Sequence, residues 1–495
     1  MTIPEFGKPD VLTLFEESVP GRIGVSLPEE SPDTDELIQE LIPEEFLRKD
    51  LPDLPELSEP QVVRHFVRLS KRTFSVDANF YPLGSCTMKY NPKLNELLAS
   101  LDAFAMTHPE QPLRSMQGLL RIYYELSLWL GQLTGLPGVS LQPAAGAHGE
   151  FTALLIAKAY FRDRGEPQRN QVLVPDTAHG TNPASAARCG FEPVAIKSQQ
   201  GKIDLEQLRQ RLSDKTACLM LTNPNTLGLF EHEMAEAARL VHEAGGLVYL
   251  DGANFNALVG RVRPADFGAD LMHINLHKTF SVPHGSGGPG AGPICVREDL
   301  AKYLPVPVAS LRDGVYYLDY DRPHSIGKVR SYFGNMPNIV RSYVYIAQLG
   351  LEGLREVSGY AVLHANYLLH LLAEHYDVPF GQRCMHEFVI DGTRQKKLGV
   401  KALDIAKALL DYGFHPPTTY FPLIVPEALM IEPTETENKE TLEAFAEAMI
   451  EIARKAETSP EELTAAPHTT PVSRLDELAA ARNPIIVWPS AETKA

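Results

Sequence analysis

Lys278 stands at the end of an apolar run, Leu271, Met272, Ile274 and Leu276, and opens a glycine-rich stretch, DLMHINLHKTFSVPHGSGGPGAG over residues 270–292. A lysine at the carboxyl end of a buried strand sheds its proton more readily than in water and can attack a carbonyl as a neutral amine. Pyridoxal phosphate catalysis is the chemistry that most often needs such a lysine, as the Schiff-base anchor of the cofactor. Its second requirement is a carboxylate that keeps the pyridine nitrogen protonated. Asp251 fits, since it closes the buried-strand pattern Leu247-Val248-Tyr249-Leu250 and lies 27 residues upstream of Lys278. That interval has room for one crossover and a return to the next strand. Taken singly, the lysine reads as a solvated loop residue and the aspartate as a cap. Their order, each after a strand pattern, favours the joint role.

A phosphate needs a receptor. Gly146-Ala147-His148-Gly149-Glu150 precedes the apolar helix pattern FTALLIAKAYF. Small residues at a helix start expose backbone N–H groups, and the helix dipole adds partial positive charge there. His148 is the residue expected to lie over a ring seated at that cradle, with a helix cap as its plainer reading. Thr177-Ala178-His179-Gly180-Thr181-Asn182-Pro183 and Thr222-Asn223-Pro224-Asn225-Thr226 each follow a strand pattern and offer polar groups at the same sheet edge. Thr181 and Asn223 are the candidates from these turns.

The elements that must hold these residues alternate. Strand patterns fall at 171–175, 193–197, 216–222, 247–251 and 271–276, separated by helical patterns such as IDLEQLRQRL, with Asp204 as N-cap, and EMAEAARLVHEAG. Alternation of this kind predicts an α/β fold with a mostly parallel sheet covered on both faces. Ligands in such sheets bind beyond the carboxyl ends of the strands, where Asp251 and Lys278 both fall. Residues 1–59 form an acidic, proline-rich arm and 60–334 the large domain. Residues 335–457, with a long helical pattern, the strand HEFVID and two further helices, read as a smaller α+β domain, followed by a proline-punctuated tail at 458–495.

The chain has 495 residues and a net charge of −17. Residues 1–59 alone carry 16 Asp and Glu against 4 Lys and Arg. The acidity therefore belongs to the arm, and nucleic acid is a poor candidate ligand. No apolar run is long enough to span a membrane and the N-terminus has no signal character, so a cytoplasmic protein is expected. Five scattered cysteines without a CxxC pair predict reduced thiols, and the absence of HExxH or a similar pair predicts no metal.

Five blocks, GSCTMKYNP (84–92), GAHGE (146–150), AHGTNPASA (178–186), LDGANFNA (250–257) and NLHKTFSVPHGSGGPGAGPI (275–294), resemble the P-protein of the glycine cleavage system. DIAKALLDYGFHPP (404–417) and MIEPTETENKETLEAF (430–445) resemble its C-terminal domain, so the likeness covers nearly everything after residue 60. It implies a fold-type-I pyridoxal 5'-phosphate enzyme that decarboxylates glycine and transfers the aminomethyl group to the lipoyl arm of H-protein. Only the lysine-bearing half of the longer single-chain form is present. The resemblance is therefore to subunit 2 of the split enzyme, with a homologous subunit 1 as partner in a hetero-oligomer holding two copies of each. It implies Lys278 as the Schiff-base lysine, Asp251 as the pyridinium partner, His148 stacked on the ring and Ala253 against the other face. Gly146, Ala147 and His277 would serve the phosphate, Lys278 or His148 would handle protons, and the loop Ser85-Cys86-Thr87 would lie at the substrate entrance. Many single-chain members carry Gln at the position of His148. Arg330 is a candidate carboxylate ligand without a matching family motif. Two rival readings are another fold-type-I aminotransferase or decarboxylase, and a non-catalytic partner subunit. The number of blocks counts against the first and Lys278 against the second.

Overall fold

The computed structural model describes residues 12–484 and 486, apart from 30, 50, 51, 53, 285–289 and 382. Part of the glycine-rich stretch after His284 thus lies outside the described residues. The chain divides into two compact units: residues 1–75 with 468–495, and residues 76–467.

The first unit carries the short helices Leu14–Glu17 and Thr34–Leu41, the longer helix Glu59–Ser70, and Glu477–Arg482 from the other end of the chain. Glu59–Ser70 starts at a capping box, in which Ser58 and Gln61 exchange hydrogen bonds, with proline in the first turn. Leu37, Ile38, Leu41 and Phe46 are exposed.

The second unit is built on a seven-stranded sheet. Its order is Gly138–Ser140, Ile294–Val296, Leu271–Ile274, Leu247–Gly252, Thr216–Thr222, Gln171–Pro175, Glu192–Ile196. Ile294–Val296 runs antiparallel to both neighbours, and the remaining pairs are parallel. The five expected strands are all present within a residue or two. Asp204 caps the helix Leu205–Arg211 by accepting from the N–H groups of Glu206 and Gln207.

Along Leu219-Met220-Leu221, successive side chains enter opposite cores, Leu219 and Leu221 one and Met220 the other, as a strand buried on both faces requires. A three-stranded antiparallel sheet, Phe388–Asp391, Ala428–Ile431 and Thr418–Thr419, packs with the helices Ala402–Asp411 and Lys439–Thr458 around a core of its own. Leu463 and Ala466 are buried in that same core, so the tail expected from 458 starts later, at His468. The long helical pattern forms Met336–Leu372, interrupted at Gly350, whose φ of 62° and ψ of −173° are not helical. Among the described residues no helix is long and apolar enough to cross a membrane.

A fully buried lysine ties the site-bearing segments together. Lys89 Nζ donates to Glu435 Oε1 (2.7 Å), the Thr279 carbonyl (2.7 Å), Asn256 Oδ1 (3.0 Å) and Tyr345 Oη (3.2 Å). Lys89→Met removes the cation and leaves the buried carboxylate of Glu435 without its counter-charge. Denaturant unfolding of that variant is expected to show a loss of about 3–5 kcal/mol, partly recovered when Glu435→Gln is added.

Candidate active site

Sheet register builds the floor of the site. Thr222 pairs with Asp251 and Asp251 with His273, so three polar residues lie in one row near the carboxyl ends of three adjacent strands. Lys278 follows His273 by one tight turn, its N–H bonded to the Asn275 carbonyl. The helix Gly146–Asp163 supplies a second wall, and glycine lets it come close. A Cβ on Gly146 would sit 2.7 Å from Asn275 Oδ1, and one on Gly149 would sit 2.7 Å from His273 Cβ. The helix start, with its unpaired N–H groups, is thereby pressed onto the strand that leads to Lys278.

These elements enclose a cavity of about 160 Å³ lined by Lys278, Asp251, Ala253, Gly146, Ala147 and Thr181 together with Ser85, His179, Asn275 and Glu387. Glu150, Thr222, His273 and His386 also border it. A larger cavity of about 710 Å³ lies elsewhere, against Trp129, Leu133, Arg261 and Ile346. Among the described residues its one carboxylate, Asp266, is paired with Arg263.

Asp251 is fully buried. Burial pushes its pKa up, but His273, the amide of Asn182, the N–H of Ala253 and Lys278 outweigh that and hold it below the usual carboxylate value. Asn182 Nδ2 donates at 2.9 Å and Ala253 N at 3.0 Å. His273 Nε2 lies 3.7 Å from Asp251 Oδ1, while its Nδ1 is bonded to the Tyr249 hydroxyl. Burial depresses the His273 pKa while Asp251 pulls it the other way, and its Nε2 has no hydrogen-bond partner. Three other buried polar groups at the cavity lack partners: Asn275 Oδ1, Thr222 Oγ1 and both ring nitrogens of His386. Unpaired buried groups are costly, and their concentration here marks a place where a polar ligand completes the hydrogen bonding.

Of the residues named from sequence, Lys278, Asp251, Gly146, Ala147, Ala253, Thr181 and Ser85 come together around the cavity. His148, His277, Asn223 and Cys86 are not among its lining residues. The helix starts at Gly146 rather than after Glu150, so His148 lies in its first turn. There Nδ1 turns back to accept the Ala144 N–H at 3.1 Å, with Arg330 close enough to depress its pKa alongside burial. Arg330 also stays off the lining. Asn223 closes its own turn, exchanging hydrogen bonds with the backbone of Glu231. His277 packs against His284 with ring centroids 5.2 Å apart. Burial pushes its pKa down to about 3. Cys86 is half-buried, its thiol pKa raised by burial.

Besides His273 and His386, the imidazole of His179 borders the cavity. Its Nδ1 accepts the Thr181 N–H at 3.3 Å and its ring lies 5.5 Å from Phe421. Burial is the main cause of its lowered pKa. The block AHGTNPASA contained it, and only the direction of the side chain was hidden. Glu387 lies in the strand pattern HEFVID and Glu432 in the block MIEPTETENKETLEAF, but neither pattern brings the two together.

Parallel strands, a helix N-terminus at their carboxyl ends and a lysine facing a buried aspartate define the architecture of the fold-type-I pyridoxal-phosphate-dependent enzymes. Residues 30–311 match the family described as glycine cleavage system P-protein, and 357–470 the one described as glycine dehydrogenase, C-terminal domain. The chain is 56% identical over 482 residues to the probable glycine dehydrogenase (decarboxylating) subunit 2 of Halalkalibacterium halodurans, covering 96% of this chain and 98% of that one. The protein of the same name from Caldanaerobacter subterraneus subsp. tengcongensis is 56% identical over 480 residues, with coverage of 96% and 98%. A solved glycine decarboxylase (P-protein) of the glycine cleavage system, in inhibitor-bound form, superposes with a TM-score of 0.72 at 23% identity. That match covers 86% of this chain and 100% of the other. The chain belongs to the glycine cleavage system P-protein family.

Glu150 generates a pH prediction. Burial, then Asp251, lifts its carboxyl to about 7 against hydrogen bonds from Thr181 and Ser185 at 2.7 and 2.9 Å. A carboxyl raised on folding favours the folded chain at low pH, and the benefit is lost as pH rises from the unfolded value through the folded one. Glu150→Gln is expected to flatten the decline in unfolding free energy between about pH 5 and 7, an effect of roughly 3 kcal/mol, measured by denaturant titration at each pH.

Proposed function

We propose that this chain is the lysine-bearing, catalytic subunit of a pyridoxal phosphate-dependent glycine dehydrogenase (decarboxylating). It removes the carboxyl group of glycine as CO2 and passes the aminomethyl group to the lipoyl arm of H-protein. The observation that carries this reading is the pairing of Lys278 with buried, ionised Asp251 in one cavity beside a helix N-terminus. Membership of the P-protein family gives the substrate.

The residues present fit the cofactor. The first-turn N–H groups at Gly146 and Ala147, with the unpaired Thr222 hydroxyl as a further donor on the cavity wall, would receive the phosphate end. Lys278 would hold the carbonyl carbon, Asp251 would keep a proton on the ring nitrogen, and His179 and Ala253 would cover the ring faces. Bound here, pyridoxal phosphate supplies the electron sink that lets a bond to the α-carbon break without leaving the electron pair localised. The chain's own task is orientation: the carboxylate of glycine must be held so that its bond to the α-carbon stands out of the ring plane. Ser85 and the turn at Ala253-Asn254 border the volume available to it. Lys278, once free of the cofactor, is a base within reach of the substrate nitrogen.

The direct test is covalent trapping. Borohydride reduction of the loaded protein is expected to fix the cofactor to one peptide, the one containing Lys278, and Lys278→Ala should lose that adduct while unfolding like the parent. A reducible adduct that persists in Lys278→Ala rules the assignment out.

Its relatives' designation as subunit 2 supports a second, homologous subunit as partner. The exposed apolar residues of the acidic arm, Leu37, Ile38 and Leu41, are consistent with an arm that another chain covers. Glycine–bicarbonate exchange with lipoylated H-protein should be low for this chain alone and rise at least tenfold when subunit 1 is added. Full exchange by the chain alone would exclude the need for a partner.

A further inference from the structure

Two carboxyl groups outside the cofactor set stand beside Lys278. Glu387 immediately precedes the strand Phe388–Asp391 and Glu432 immediately follows Ala428–Ile431. Because Phe388 pairs with Ile431 in an antiparallel ladder, the next residue on each strand is opposite the other, and the two glutamates meet. Glu387 is 4% exposed and Glu432 fully buried. Together with His386, their side-chain ligand atoms all lie within 4.8 Å of one another. Glu387 and His386 line the same cavity as Lys278.

Both glutamates grip the entrance loop. Ser85 N donates to Glu387 Oε2 at 2.7 Å. Thr87 donates to Glu432 through its N (3.0 Å) and its hydroxyl (2.8 Å), and Asn254 Nδ2 adds a bond of 2.8 Å to Glu432 Oε1. Ser85 and Thr87 have φ of 66° and 54°, a left-handed backbone that residues with a Cβ adopt only when held. Glu387 Oε1 is left over. It faces His386 Nε2 at 3.7 Å, and that nitrogen has no other partner.

The charge balance around the pair is short of cations. The titratable groups facing it are Lys278, His386, Cys86 and Cys384. Burial pushes His386 down to about 3 and Cys384 up to about 12, and it raises Cys86 as well, so all three are neutral at physiological pH. Among the described residues Lys278 is the one positive group acting on both glutamates, and in the loaded protein its nitrogen is committed to the cofactor. Two adjacent buried carboxylates without a cation hold a proton between them.

We propose that Glu387 and Glu432 share one proton, and that Glu387 presents it from Oε1 as the acid that serves aminomethyl transfer. The step rests on the function proposed above. As the carbon–sulfur bond to the lipoyl arm forms, the disulfide S–S bond breaks, and the electron pair left behind by departing CO2 reduces it. The second sulfur leaves as a thiolate and takes the proton from Glu387. The next glycine arrives with an ammonium group, gives one proton back to the carboxylate and becomes the neutral amine that can attack. The cycle thus returns Glu387 to its starting state with no outside acid. Glu432 is the positioning residue: its negative charge keeps the proton on its neighbour, and its oxygens hold Thr87. Consistent with this, burial followed by the charge of Glu432 raises the Glu387 carboxyl to about 8.

The test uses the loaded complex with subunit 1 and lipoylated H-protein. Glu387→Gln keeps an amide oxygen for the Ser85 N–H, so the loop should stay in place. Borohydride should still trap the cofactor on Lys278 in parent and variant, and failure in the parent would count against the site assignment rather than this proposal. Glu387→Gln is then expected to lower kcat by about a hundredfold, with KM for glycine within about threefold. The alkaline limb of the kcat profile, near pH 8 in the parent, should disappear. Glu432→Gln should move that limb to lower pH, since removing the like charge lets Glu387 ionise more easily. Infrared difference spectra should contain a protonated-carboxyl stretch at neutral pH that is absent from Glu387→Gln. A parent without that band, or a Glu387→Gln variant with kcat within threefold and an unmoved alkaline limb, overturns the proposal.

Discussion

The buried ammonium of Lys89 is the constraint on which the site's assembly depends. A cation stripped of water must be surrounded by acceptors, and Lys89 draws its four from four separate segments. Glu435 follows the strand Ala428–Ile431, Asn256 follows the strand that carries Asp251, Thr279 is the neighbour of Lys278, and Tyr345 belongs to the long helix. Lys89 itself lies just past the entrance loop. Asn256 also donates to Glu435 Oε2 at 3.0 Å, so the network closes on itself. Any displacement of one segment would leave a buried charge partly unpaired. The large sheet, the small sheet and the loop between them are therefore held in one relation by electrostatics as well as by apolar packing.

Within that frame the polarity of the site follows from burial. Every imidazole that borders the cavity has its pKa depressed, with burial as the largest cause. Burial raises all three carboxyls. At Asp251 it is outweighed by His273, two hydrogen-bond donors and Lys278, whereas at Glu150 and Glu387 it prevails and a neighbouring carboxylate adds to it. One pocket can thus contain a permanent anion and weak acids that hold protons near neutral pH, a separation of roles that acid–base chemistry uses.

Much of this was legible before any coordinates. Val172 to Val174, Leu219 to Leu221 and Val248 to Leu250 are strands because apolar residues on both faces of a short run have no other economical burial. Asp204 before an amphipathic run is a cap for the same local reason that it binds the N–H groups of Glu206 and Gln207. The neighbourhood of Asp251 and Lys278 was legible because one lies near the end of a strand and the other one turn past the next, and a single crossover makes those strands adjacent. His148 was misread for an equally physical reason. Whether a residue near a helix start points to the ligand or back to its own loop depends on the turn in which the helix begins, and a one-turn difference reverses the answer.

The sequence by itself determined what local patterns encode: the strands and helices, the lysine and aspartate at strand ends, the glycines that allow a helix to press against the sheet, and the family. Tertiary structure decided everything that depends on which distant segments meet. It selected His179 over His148 for the cavity wall, and it brought Glu387 to Glu432 across a ladder 45 residues apart in sequence. It also buried Lys89 among acceptors as far away as Glu435. Charge, burial and side-chain direction are properties of an environment, and an environment made of residues hundreds of positions apart has no representation in a local pattern.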